Sequence, residues 1–204
     1  QPTGGGKSLC YQIPALLNNG VTLVVSPLIA LMHDQVIALE QLGVAASCLN
    51  SSLTRVEQRS VLERLRDGRL RLLYVAPERL MQERTLEELK FCGVSLVAID
   101  EAHCVSQWGH DFREDYLALG ELAQAFPGVP RMALTATATE RVRAEIVERL
   151  ALRSPAKFIA SFDRPNIRYV VRSKADAKSQ LLGFLADHRG DAGIVYCMTR
   201  KRTE

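Results

Sequence analysis

The run Val94-Ser95-Leu96-Val97-Ala98-Ile99 is apolar almost without a break and leads straight into two carboxylates, Asp100 and Glu101. A strand with one wet face alternates polar and apolar side chains. A near-continuous β-branched run instead suits a strand covered on both faces, as in a parallel sheet with helices on either side. Residues 21–26, 44–49, 71–76, 94–99 and 131–135 all read as strands of this texture. Helical patterns fill the gaps over residues 28–42, 54–67, 115–125 and 140–150. Gly43 and Gly68 stand at the natural stops of the first two. Thr54-Arg55-Val56-Glu57 has the form of a capping box. Alternation of this kind predicts an α/β fold with an open, mostly parallel sheet flanked by helices. Ligands of such folds bind beyond the carboxyl ends of the strands.

With 204 residues, 47% of them hydrophobic, the chain has material for one full core and some to spare. The texture changes near residue 161. Phe162-Asp163-Arg164-Pro165-Asn166 reads as a connector, followed by a strand (167–172), a helix (175–188) and a strand (193–197). The expected organisation is a first domain over 1–160, a linker over 161–176 and the start of a second α/β domain over 177–204. Charge divides at nearly the same place. Residues 151–204 hold 11 Lys/Arg against 5 Asp/Glu, and residues 1–150 hold 15 against 18. The basic tail suits either nearby phosphates or a solvated surface. No apolar run reaches the roughly 18 residues of a membrane span, and no signal peptide is visible. A soluble intracellular protein is expected. Cys10, Cys48, Cys92, Cys104 and Cys197 lack metal-ligand spacing, so buried free thiols are expected, without disulfide or zinc.

Thr3-Gly4-Gly5-Gly6-Lys7-Ser8 opens a helical stretch over residues 9–17. Consecutive glycines let backbone N–H groups face phosphate oxygens, and the helix start adds a favourable dipole. Lys7 would neutralise the β- and γ-phosphates, and the Ser8 hydroxyl would ligate Mg²⁺. The strict pattern wants glycine where Gln1 stands. A phosphate loop normally follows a buried strand, so the delivering strand is expected before Gln1. Farther on, Asp100 would hold Mg²⁺, while Glu101 would orient the attacking water and accept its proton. His103 would link the γ-phosphate region to neighbouring loops. An ordinary Gly-rich turn and a solvated acidic turn use the same residues. The order of the two motifs, with about three strand–helix units between them, favours ATP and Mg²⁺ as the ligands.

Asp100-Glu101-Ala102-His103 is the signature of one branch of the superfamily 2 helicases. The residues after it resemble the RecQ family: Cys104-Val105-Ser106-Gln107-Trp108-Gly109-His110-Asp111-Phe112-Arg113 is similar to that family's aromatic-rich loop. Residues 2–12, 26–35, 74–80, 133–138, 161–167 and 194–197 resemble its other motifs, in its order. His33 stands where the family often has Lys. The resemblance implies a RecA-like P-loop NTPase fold and an ATP-dependent 3′–5′ DNA helicase acting in repair and recombination, on single strands and duplex junctions. It also implies a cytoplasmic location in a bacterium or a nuclear one in a eukaryote. Arginine fingers are expected beyond Glu204 and the adenine-reading segment before Gln1.

Within the loop, Trp108 and Phe112 offer stacking surfaces for unpaired bases. His110 and Arg113 can reach phosphates or rings. Because the loop starts just after Glu101, DNA contact there could reposition the catalytic carboxylate. A core position for Trp108 is the alternative. By resemblance, Thr135 and Thr137 relay the nucleotide state, although an N-cap role would also use such residues. Ser26 and Asn50 end neighbouring strands and suit a DNA backbone track, as ordinary polar loops also would. Two other activities fit the same motifs: a related translocase or RNA helicase, and a nucleotide-gated DNA-binding module without turnover.

Overall fold

In the computed structural model, which describes residues 6–109, 111–160 and 166–199, five strands form one wholly parallel sheet. They are β1 (Val21–Val25), β2 (Ala46–Leu49), β3 (Leu72–Val75), β4 (Val94–Ile99) and β5 (Arg131–Ala133), in the order β2-β3-β1-β4-β5. The registers Val25↔Val75 and Val25↔Ile99 bring the ends of β3, β1 and β4 level. Whatever follows those strands therefore meets along one rim.

The five strands expected from sequence are all present; β4 has the predicted bounds and the other four are shorter by one or two residues. Their apolar character follows from coverage on both sides. Leu23, Val25, Leu73, Val75, Val97 and Ile99 share one core. Val24, Leu72, Tyr74, Leu96 and Ala98 face the other. Each wholly buried leucine here contributes roughly 1.5–3 kcal/mol relative to exposure.

Helices α1 (Leu9–Leu17) and α2 (Ile29–Gln41) cover the second core through Tyr11, Ala15, Met32, Val36 and Leu39. Helix α3 (Arg55–Arg66) begins with the capping box read from the sequence: Thr54 Oγ accepts from Glu57 N–H, and the Glu57 carboxylate accepts from Thr54 N–H at 2.7 Å. Two helices went unforeseen, α4 (Pro77–Leu80) and α5 (Glu83–Lys90). Pro77 occupies the first helical turn of α4, where its missing N–H costs nothing.

Residues 115–125, expected as one α-helix, form a 3-10 helix over Glu114–Glu121 followed by the single turn α6 (Leu122–Ala125). Gly120 shows why the packing is tight there: a Cβ on it would stand 2.5 Å from the Arg149 carbonyl oxygen. Helix α7 (Glu140–Arg149) starts at Thr139, whose Oγ accepts from Val142 N–H, and buries Val142 and Ile146.

The chain divides into two compact units, Gln1–Arg164 and Pro165–Glu204. In the second, α8 (Ala177–Asp187) is capped by Asp176, whose carboxylate accepts from the N–H groups of Lys178 and Ser179. The strands expected over 167–172 and 193–197 are absent from the described residues. Val171 and Ile194 lie exposed, and an apolar run becomes a strand only where a neighbour pairs its backbone groups. The cysteines also correct an expectation. Only Cys48 and Cys104 are buried, Cys92 is half-buried, and Cys10 and Cys197 are exposed. No helix among the described residues is long and apolar enough to cross a membrane.

Candidate nucleotide and DNA site

The end of β4 builds the centre of the site. Asp100 N–H continues the sheet ladder by donating to the Val25 carbonyl at 2.8 Å, and the Tyr116 hydroxyl donates to the Asp100 carbonyl at 3.0 Å. With its backbone held twice, Asp100 has little freedom, and its side chain is buried. Burial pushes the carboxyl pKa up; the Glu101 N–H, donating to Asp100 Oδ1 at 2.9 Å, pulls it down, as do the charges of Lys7 and His103.

Glu101 sits in the left-handed region at φ 46°, ψ 42°. For a residue with a Cβ this costs about 1–2 kcal/mol. The turn swings the chain back along the sheet, and Ala102 N–H donates to the Leu134 carbonyl at 2.9 Å. His103 Nδ1 then lies 3.3 Å from Glu101 Oε2 and 2.9 Å from Thr135 Oγ1. The Thr135 hydroxyl can donate to the Thr137 carbonyl at 3.3 Å and accepts from Thr137 N–H at 3.2 Å. That leaves it to accept from a proton on His103 Nδ1. One imidazole thus ties the carboxylate after β4 to the threonines after β5.

On the phosphate side, Lys7 and Ser8 form the turn into α1 and Gly6 has φ +76°. Gln12 on α1 donates to the Gln35 side chain at 3.0 Å and lies 3.4 Å from the Tyr74 hydroxyl, which ties α1 to α2 and β3. Thr3, Gly4, Gly5 and His110 lie outside the described residues. No cluster of three or more His, Cys, Asp or Glu gathers among the described residues. A buried carboxylate, Asp100, and a serine hydroxyl, Ser8, are donor types that fit Mg²⁺, which keeps several waters and shares phosphate oxygens.

The aromatic loop folds back on this centre. Gly109 N–H donates to the Ser106 carbonyl, and a Cβ on Gly109 would stand 2.6 Å from the His103 carbonyl oxygen. Trp108 is 62% exposed, so it is no core residue, whereas Phe112 is half-buried. Arg113 is engaged within the protein: its guanidinium donates to Asp111 Oδ2 at 3.1 Å and to the Pro27 carbonyl at 3.2 Å. The Cys104 thiol beneath is pushed up to about 12 by burial, then by the Asp111 carboxylate.

Ser26 and Asn50 do end β1 and β2, but both side chains are buried. Asn50 Oδ1 accepts from Ser52 N–H at 2.9 Å and from its hydroxyl at 2.6 Å. Sequence reasoning missed two participants. One is Tyr116, which holds the Asp100 backbone; the other is Arg141 on α7, whose guanidinium lies 3.6 Å from the Trp108 ring centroid. Neither belongs to a spaced motif, so only the fold could reveal them.

A model of the DEAD/DEAH box helicase family matches residues 1–146, and the chain belongs to that family. Within it, the likeness to RecQ helicases extends over nearly the whole chain. It is 53% identical over 202 residues to the ATP-dependent DNA helicase RecQ of Pasteurella multocida, covering 99% of this chain and 32% of the relative. To the RecQ of Haemophilus influenzae it is 50% identical, covering 99% and 33%. The chain thus spans about a third of the length of the curated relatives it matches. Among solved structures, the helicase domain of Hef from Pyrococcus furiosus superposes with a TM-score of 0.55 at 20% identity, over 74% of this chain and 32% of that one. That is a likeness of fold.

Proposed function

We propose that this chain forms the ATP-binding lobe of a RecQ-type DNA helicase, in which ATP hydrolysis drives 3′–5′ strand separation. The observation that carries the reading is the convergence on one rim. The Lys7 charge acts on Asp100, and His103 joins Glu101 to Thr135 beneath the loop that bears Trp108.

In this reading Thr3, Gly4, Gly5 and Gly6 wrap the phosphates, and Lys7 neutralises the β- and γ-phosphate oxygens. Ser8 and Asp100 hold Mg²⁺, which when bound offsets charge on the triphosphate. Glu101 orients the attacking water and takes its proton as the γ-phosphoryl group moves to that oxygen and ADP leaves. His103, whose Nδ1 lies 2.9 Å from Thr135 Oγ1 and 3.3 Å from Glu101 Oε2, carries any shift of the carboxylate to Thr135 and Thr137. Trp108 stacks an unpaired base, with Phe112, His110 and Arg113 shaping the loop around it. Ser26 and Asn50 support the strand-end loops over which the DNA backbone runs.

The test is ATP hydrolysis by the complete protein with and without single-stranded DNA. Lys7→Ala abolishes turnover. Glu101→Gln retains ATP binding and lowers kcat by on the order of 10²–10⁴. Trp108→Ala raises the DNA concentration needed for half-maximal stimulation by roughly 5–150-fold, the equivalent of one lost base stack. Equal stimulation by RNA would point to another superfamily 2 motor. ATP-dependent DNA binding without turnover would point to a gated binding module.

A further inference from the structure

Trp108 is the only tryptophan in the sequence. Its backbone is fixed: Trp108 N–H donates to Ser106 Oγ at 3.1 Å, and the next residue is pinned against the His103 carbonyl. The indole is held from a different element. The Arg141 guanidinium lies over the ring at 3.6 Å, and yet 62% of the residue remains exposed. One face is covered and the rest is open.

Arg141 stands on a firm base. It follows the Thr139 cap, and Val142 and Ile146 anchor α7 in the core. Arg143, two residues further along, donates to the Ala138 carbonyl at 3.0 Å. Helix α7 also follows directly on Thr135 and Thr137. The guanidinium therefore connects the stacking side chain to the same segment that receives the His103 hydrogen bond.

We propose that Arg141 is a positioning residue: it braces one face of Trp108 so that the other is presented, already ordered, to an unpaired base. This rests on the reading of Trp108 as a DNA contact. An unbraced indole on an exposed loop samples several rotamers and loses that freedom when a base stacks. A guanidinium plane across one face removes the loss beforehand, and preorganisation of this kind appears as tighter binding. An exposed cation–π pair is worth about a two- to fivefold change in an equilibrium.

The experiment measures DNA-stimulated ATP hydrolysis by the complete protein, titrated with an oligothymidylate. Arg141→Ala raises the half-saturating concentration about two- to fivefold while the DNA-saturated rate is retained. Arg141→Lys keeps the charge but not the plane, and shows most of the same rise. In a Trp108→Ala background, Arg141→Ala has no further effect. Three results would overturn the proposal: an unchanged or lowered half-saturating concentration in Arg141→Ala, full recovery by Arg141→Lys, or an undiminished effect in the Trp108→Ala background. The last two would make Arg141 an independent phosphate contact. If Trp108→Ala leaves DNA stimulation intact, the DNA reading of the loop fails. If Trp108→Ala weakens it and Arg141→Ala does not, only the brace fails.

Discussion

The Asp100 carboxyl is buried at the end of a central strand, and burial raises its pKa above the ordinary aspartate value. A raised carboxyl pKa means that the folded state binds the proton more tightly than the unfolded chain. Stability then falls as pH rises from the unfolded value through the folded one, and the charged Asp100 is a net cost at neutral pH. Asp100→Asn removes that cost and keeps an acceptor for the Glu101 N–H. The nucleotide-free variant is expected to melt higher at pH 7, by the roughly 0.5–2 kcal/mol common when strained functional sites are relieved. The gain shrinks as pH drops toward the carboxyl's own titration. A melting series over pH checks it; a lower melting point at pH 7 would contradict this account. The two carboxylates and the lysine were legible in the sequence because chemistry fixes their types and the strand fixes their place. The partners of Arg113 were not. A guanidinium reads as a phosphate ligand until the fold shows it spanning Asp111 and the Pro27 carbonyl.

Elements were readable where their signals were local. Runs of β-branched residues gave all five strands, and Thr54 with Glu57 announced the start of α3. Helices α4 and α5 were hidden because residues 77–90 carry few apolar positions: Leu80 and Leu89 are buried in the core, with Met81 and Leu86 packed against it. The 3-10 geometry over Glu114–Glu121 depends on packing against Arg149, thirty residues away, and no local pattern encodes that. The two unpaired strand patterns of the second unit make the converse point: propensity without a neighbour is not a strand. One close approach supports the sheet directly. Gly20, at φ +107°, precedes β1 where a Cβ would stand 2.2 Å from the Gly93 carbonyl oxygen. Val21 N–H donates to that same oxygen at 3.1 Å, so the two strands enter the sheet touching. Gly20→Ala is expected to cost roughly 2–4 kcal/mol, measurable as a lower denaturation midpoint at an unchanged m-value.

At the scale of the molecule, the proposed nucleotide binding and folding form one linked equilibrium. The proposed binding groups lie in the turn before α1 and at the end of β4, far apart in sequence, so only folding can assemble them. A non-hydrolysable ATP analogue with Mg²⁺ at about 100 times its Kd should stabilise the protein by about 2.7 kcal/mol. Lys7→Ala should lose most of that shift in a thermal melt while keeping its ligand-free melting point. A shift of equal size in Lys7→Ala would remove Lys7 from the binding site.

The order β2-β3-β1-β4-β5 sets a schedule for biosynthesis. Strand β1 emerges early, yet both of its neighbours come much later in the chain, β3 at Leu72–Val75 and β4 at Val94–Ile99. At ribosomal rates of about 5–20 residues per second, Val25 waits roughly 4–15 s before Ile99 exists to pair with it. Until Val75 is made, neither edge of this five-residue apolar strand has its partner, and until Ile99 is made one edge still waits, so unpaired apolar backbone stands exposed through much of synthesis.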